Sequence, residues 1–116
     1  LLASAVEVAG VKVIAAQLPG VDAKSLRVTL DQLKDKLGSG VVFLASEKNG
    51  KMSLISGVTK DLQARFSAGS LMREVAPIMG GKGGGRDDMA QGAGTDPTRA
   101  AEALEAVHAW VVSQAC

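Results

Sequence analysis

At 116 residues, 47% of them hydrophobic, the chain amounts to one domain, large enough to bury a core unaided and too apolar for global disorder. Thirteen Lys and Arg against twelve Asp and Glu leave a formal charge of +1, which excludes a polycation that coats DNA by bulk charge. The single cysteine, Cys116, excludes an intramolecular disulfide and a cysteine-built zinc site and fits a reducing compartment. Glu7 and Lys12 interrupt the first apolar stretch, far short of the roughly 18 apolar residues a membrane span needs. No basic segment of a signal peptide precedes it. The expectation is a cytoplasmic piece of a longer protein, with no membrane partner.

Residues 1–10 (LLASAVEVAG) are rich in helix formers but carry no cap. They read as the end of a preceding helical segment, with the globular domain over residues 11–116, or as a frayed terminus. Residues 11–18 are β-rich and apolar, and Pro19-Gly20 stops them as a strand. Asp22 can cap a helix whose Leu26, Leu30, Leu33 and Leu37 form one apolar stripe, and Gly38 ends it. Residues 41–46 and 52–58 flank Asn49-Gly50, whose tolerance of positive φ predicts a hairpin. Thr59 is a candidate cap for a helix through Phe66, and Ser70 for another reaching about Met79, bent or shortened by Pro77. Residues 80–86 read as a loop and 89–94 as a short extended segment. Asp96 and Pro97 then open a last helix with Ala100, Ala103, Leu104, Val107 and Val111 inward. The predicted class is α/β: a two-layer sandwich of a mixed sheet and helices, in the order β-α-β-β-α-β-α.

Charge is unevenly placed. Residues 12–86 carry 12 basic and 6 acidic side chains, whereas Arg99 alone offsets five acids from Asp87 onward. Such polarity can turn a basic face to a polyanion, although solvated faces that happen to segregate would look the same. Half of the 14 glycines lie in GGKGGGRDDMAQGAG, residues 80–94. Glycine is costly to order, so the run calls for a reason. Close backbone approach to an anionic or planar ligand is one, with successive N–H groups forming a nest and Lys82 and Arg86 adding charge. A mobile linker is the plain alternative. A P-loop is excluded, because Lys82 precedes Gly83 rather than Ser or Thr, and the run follows a helix. Catalytic chemistry is poorly provided for: His108 is the only histidine, and Asp87-Asp88 has no His or Cys cluster beside it. No catalytic or metal-ligating residue is assigned. Phe43, Phe66 and Trp110 lie in core patterns, and the chain has no Tyr.

The string GGKGGGRDDMAQGAGTD closely resembles the glycine-rich signature near the C-terminus of alanyl-tRNA synthetases, and GVVFLASEKNGKMSLISGVTKDLQ resembles the hairpin and helix before it. The likeness spans roughly residues 11–113. Asp87 departs from it, since bacterial members usually carry Pro there, and a looser exit from the glycine run is the expected consequence. The resemblance implies a non-catalytic domain that binds the outer corner of tRNA and helps present it to the aminoacylation and editing sites of the parent ligase. It also implies a contribution to homodimerisation. Alanine specificity, ATP, Mg and Zn would belong to the rest of that parent, with no cofactor in this domain. Carried onto this sequence, the tRNA-binding residues are Lys82, Gly83, Gly84, Gly85, Arg86 and Gln91. Two alternatives stay open. One is the nucleic-acid-binding end of a DHH-type phosphoesterase, whose motif usually has His where Lys82 and Arg86 stand; the other is a dimerisation module alone.

Overall fold

The computed structural model describes residues 6–8, 10–18, 20–48 and 50–115. Nine main elements follow in order: β1 (Val6–Val8), β2 (Val11–Gln17), α1 (Ala23–Leu37), β3 (Val41–Lys48), β4 (Lys51–Val58), α2 (Ala68–Val75), β5 (Lys82–Gly85), β6 (Met89–Gly94) and α3 (Ala100–Ala115). The six strands form one mixed sheet in the order β1-β2-β3-β4-β6-β5. Only β2 and β3 run parallel, and α1 supplies the crossover that a parallel pair requires.

The α/β class and mixed sheet are as predicted, but helices cover both faces of the sheet rather than one. The reason lies in β3, whose first six residues are buried whichever face they point to. Val42 and Leu44 pack with Ile14, Ile55 and the Leu26, Leu30 and Leu33 stripe of α1. Val41, Phe43 and Ala45 point the other way, into a larger core built with α2 and α3. A run that is apolar at every position needs cover on both sides. Phe43, Phe66 and Trp110 are core residues, as their patterns predicted, and the Phe66 and Trp110 rings meet at 5.8 Å between centroids.

The caps explain where the elements begin. The Asp22 carboxylate accepts from the Ser25 N–H at 2.8 Å, which with the Ser25 hydroxyl holds its carboxyl below the usual carboxylate range. Gly38, at φ 76, ends α1. In the β3–β4 hairpin Gly50 has φ 78, as predicted, while Asn49 lies outside the described residues.

Four local expectations are corrected. Val6–Val8 is an edge strand paired with β2, not helix, because Val and Glu alternate there against Val11–Val13; residues 1–5 lie outside the described residues. Thr59 caps no long helix. Its hydroxyl accepts from the buried Gly40 N–H at 2.9 Å and donates to Asp61 at 2.7 Å, so only a 3-10 turn, Lys60–Leu62, follows. Ser67 rather than Ser70 caps α2, which leaves Gly69 inside the helix, and the α-helix stops at Val75 before a 3-10 turn containing Pro77. Residues 82–85, read as loop, form β5 and add a sixth strand.

That last strand depends on missing side chains. Alternate glycines of the run face β6 and α2 at distances no Cβ could tolerate. A Cβ on Gly83 would collide with Met72 Cγ and lie 2.8 Å from Gly92 Cα and 2.9 Å from Gln91 O. One on Gly85 would lie 2.6 Å from Ala90 Cα. Gly84, on the opposite face, would meet nothing nearer than Arg73 Nη1 at 4.0 Å. Gly83→Ala should therefore destabilise the domain by about 1–3 kcal/mol, as overpacking does. Gly84→Ala should shift stability by no more than about 0.5 kcal/mol. Urea unfolding of the two variants checks the contrast, and equal effects would refute it.

Candidate functional site

The glycine run is a two-stranded edge. Lys82, Gly83, Gly84 and Gly85 pair with Ala93, Gly92, Gln91 and Ala90. Gly80 carries a positive φ, but Gly83, Gly84 and Gly85 do not. The chain through them is extended, so their N–H groups alternate in direction and do not converge as a nest would. The expectation of a backbone anion nest is corrected accordingly.

The turn from β5 to β6 is firmly held. Gly69 N–H donates to Arg86 O at 2.9 Å and Ala68 N–H to Asp87 O at 3.0 Å, which satisfies two N-terminal donors of α2. Asp88 O accepts from Val58 N–H at 3.0 Å and from Lys34 Nζ at 3.2 Å. Three consecutive carbonyls are thus tied to α2, β4 and α1. The exit at Asp87 is anchored through backbone carbonyls rather than through the residue-87 side chain.

The six residues singled out from sequence divide by face. Gly83 faces Met72 of α2 and Gly85 faces Ala90 of β6, and both pack the fold. Gly84 and Gln91 are cross-strand partners on the other face, and Gln91 also pairs with Ile55 of β4. Lys82 lies on that same face, opposite Ala93. Lys82 and Arg86 are exposed, and their side-chain cations have no hydrogen-bond or ion-pair partner among the described residues.

On this face α1 lies over β3 and β4, with Met89 of β6 packed at the edge of its leucine cluster, and leaves β5 and the rest of β6 largely uncovered. The result is a groove with α1 as its wall and a floor of small residues. One end, a cleft of about 340 Å³, is bounded by Arg27, Asp31 and Lys34 of α1 and by Gly84, Arg86 and Gln91. The other end, about 450 Å³, reaches from Ala23 and Leu26 to Lys82 and Ala93, and Gln91 belongs to both. Arg27, Lys34, Arg86 and Lys82 stand at the groove's margins, and the cleft end also carries Asp31 and Asp88. The acidic helix α3 packs over β2 instead, toward the other edge of the sheet.

Arg27, Asp31 and Lys34 escaped sequence reading. Each follows a core leucine (Leu26, Leu30, Leu33) by one residue, so the three flank the apolar stripe on one side. That spacing is visible in the sequence. Which strands lie on that side is set by the sheet order, which periodicity does not report.

Catalytic constellations are sparse. No group of three or more His, Cys, Asp or Glu is placed to hold a metal ion among the described residues. His108 is half-buried on α3. No helix among the described residues is long and apolar enough to cross a membrane.

Comparison with known proteins fits this geometry. The DHHA1 domain family matches residues 10–113. The alanine–tRNA ligase of Ralstonia nicotianae is 55% identical over 111 residues and that of Aromatoleum aromaticum 57% over 110 residues. These alignments cover 96% and 95% of this chain but only 13% of each relative. The crystal structure of the C-Ala domain from Aquifex aeolicus alanyl-tRNA synthetase superposes with a TM-score of 0.88 at 30% identity, covering 93% of this chain and 97% of that one. A DHH-domain member of the s1p family of ribosomal proteins shares the fold at a TM-score of 0.62 and 15% identity, over 93% of this chain and 27% of that one. The chain therefore belongs to the DHHA1 domain family, on the branch represented by the C-Ala domains of alanyl-tRNA synthetases.

Proposed function

We propose that this domain binds the outer corner of folded tRNA and helps bring it to the aminoacylation and editing sites of a parent alanine–tRNA ligase. The observation that carries the reading is the open face of Gly84, a side-chain-free surface at the sheet edge with Lys82 and Arg86 on either side. Folded RNA is recognised chiefly by shape, stacking and backbone contacts. A flat base surface can approach a strand that has no Cβ there, while the two cations meet flanking phosphates. Gln91, beside Gly84 and without a side-chain partner among the described residues, can hydrogen-bond a base edge or a ribose hydroxyl. Phe and Trp do not serve as stacking platforms, because all three are buried.

In this reading the domain performs neither reaction of the ligase. Alanine selection, ATP, Mg and Zn belong to the rest of the parent, and the setting is cytoplasmic. The ligase relatives, at 55–57% identity, favour this parent over a phosphoesterase. A contribution to homodimerisation is a second part of the reading, favoured by the outer strand β1, where Val6 is 50% exposed. A mass that rises with concentration in sedimentation equilibrium would support it, and a constant monomer mass would remove it.

Binding of folded tRNA tests the main reading. Lys82→Ala should weaken binding evenly across tRNA species and lower the salt slope by about one unit. Gly84→Val should weaken binding while the unfolding transition is retained, since open space surrounds that position. A loss confined to alanine tRNA would contradict the backbone contact. Unfolding of Gly84→Val would make the strand purely structural.

A further inference from the structure

We propose that α1 forms a second RNA-contacting bank, with Arg27 binding a phosphate across the groove from Arg86. The inference rests on the tRNA reading above and adds to it a contact on a different element. Four observations carry it. Arg27 and Arg86 line the same cleft of about 340 Å³, the first from the wall and the second from the rim. Gly84 opens into that cleft, so the surface offered to a planar group lies between the two cations. Arg27 is exposed and its guanidinium has no hydrogen-bond or ion-pair partner among the described residues, even though Asp31 lies one turn away on the same helix. Lys34, the other cation of this wall, is engaged with Asp88 O. Lys34 therefore positions the turn that carries Arg86, and Arg27 is left as the wall cation free to meet a ligand.

A groove with cations on both margins and small residues on its floor suits two backbone segments flanking a flat base surface. A lone extended strand would need only one row of charge. The fork of Arg27 matches a phosphate in bidentate geometry, which a lysine cannot reproduce. Asp31, the one carboxylate that α1 contributes to the cleft, opposes a polyanion there.

The test is binding of folded tRNA to the chain and its variants across a salt titration, with circular dichroism confirming that each variant is folded. Arg27→Ala should weaken binding roughly threefold to tenfold and lower the salt slope by about one unit. Arg27→Lys should keep the slope but recover the affinity only in part. Asp31→Asn should tighten binding. Lys51→Ala, at an exposed hairpin position, should match the parent chain and so shows that losing one surface cation is not enough. Wild-type affinity and slope in Arg27→Ala, together with weakened Lys82→Ala, would overturn the α1 bank and leave the tRNA reading standing. Wild-type behaviour in both would overturn both. Weaker binding by Asp31→Asn would contradict the electrostatic role given to that wall.

Discussion

The close approach of α2 to the β5–β6 hairpin is the constraint on which the other features depend. Met72 fills the space where Gly83 and Gly92 have no Cβ, and the backbone at Gly85 and Arg86 lies against Gly69. Contacts this short leave no room for a methyl group, and packed interiors transmit such a change rather than absorb it. The glycines at 83 and 85 are thus fixed by packing. Because they are, a four-residue strand is held at the edge of the sheet and its other face at Gly84 stays free of side chain.

A glycine-rich edge strand is marginal by itself, since glycine loses the most freedom on ordering and contributes no side chain to the ladder. Here the hairpin is ordered from three directions. The first N–H groups of α2 end on Arg86 O and Asp87 O, Val58 N–H ends on Asp88 O, and Lys34 reaches the same carbonyl from α1. The open side of half-buried Gly84 is therefore preorganised, which lowers the ordering cost that a ligand would otherwise meet. The arrangement also sets the charge pattern. Cations gather around the glycine edge, while the Glu102 and Glu105 helix covers the other side of the sheet.

Much of the fold is legible in the sequence where a local rule acts alone. The α1 stripe, its Asp22 cap, its Gly38 stop and the β3–β4 hairpin follow from periodicity and turn chemistry. Elements fixed by distant partners are not legible in this way. Ser67 caps α2 and Gly69 sits within it because the helix must lie against the turn at residues 86–87, a contact between segments that no local propensity encodes. The same holds for β5. A glycine run has no strand propensity, yet pairing with β6 and cover from α2 make it one. Cover on both faces of the sheet is encoded locally, since the β3 run Val41–Ala45 is apolar at every position. Within the site, the motif marks Lys82, Arg86, Gly84 and Gln91, but only the strand register separates Gly84, which is open, from Gly83 and Gly85, which are not.

The measurement that tests the central claim most directly is competition between folded tRNA and a single-stranded DNA of equal length for this chain, titrated against salt. A strand free of side chain at Gly84, with cations on its margins, predicts a preference for the folded tRNA that persists as salt rises, because shape and stacking are screened less than phosphate contacts. Equal or better binding of the single strand at every salt concentration would contradict the account.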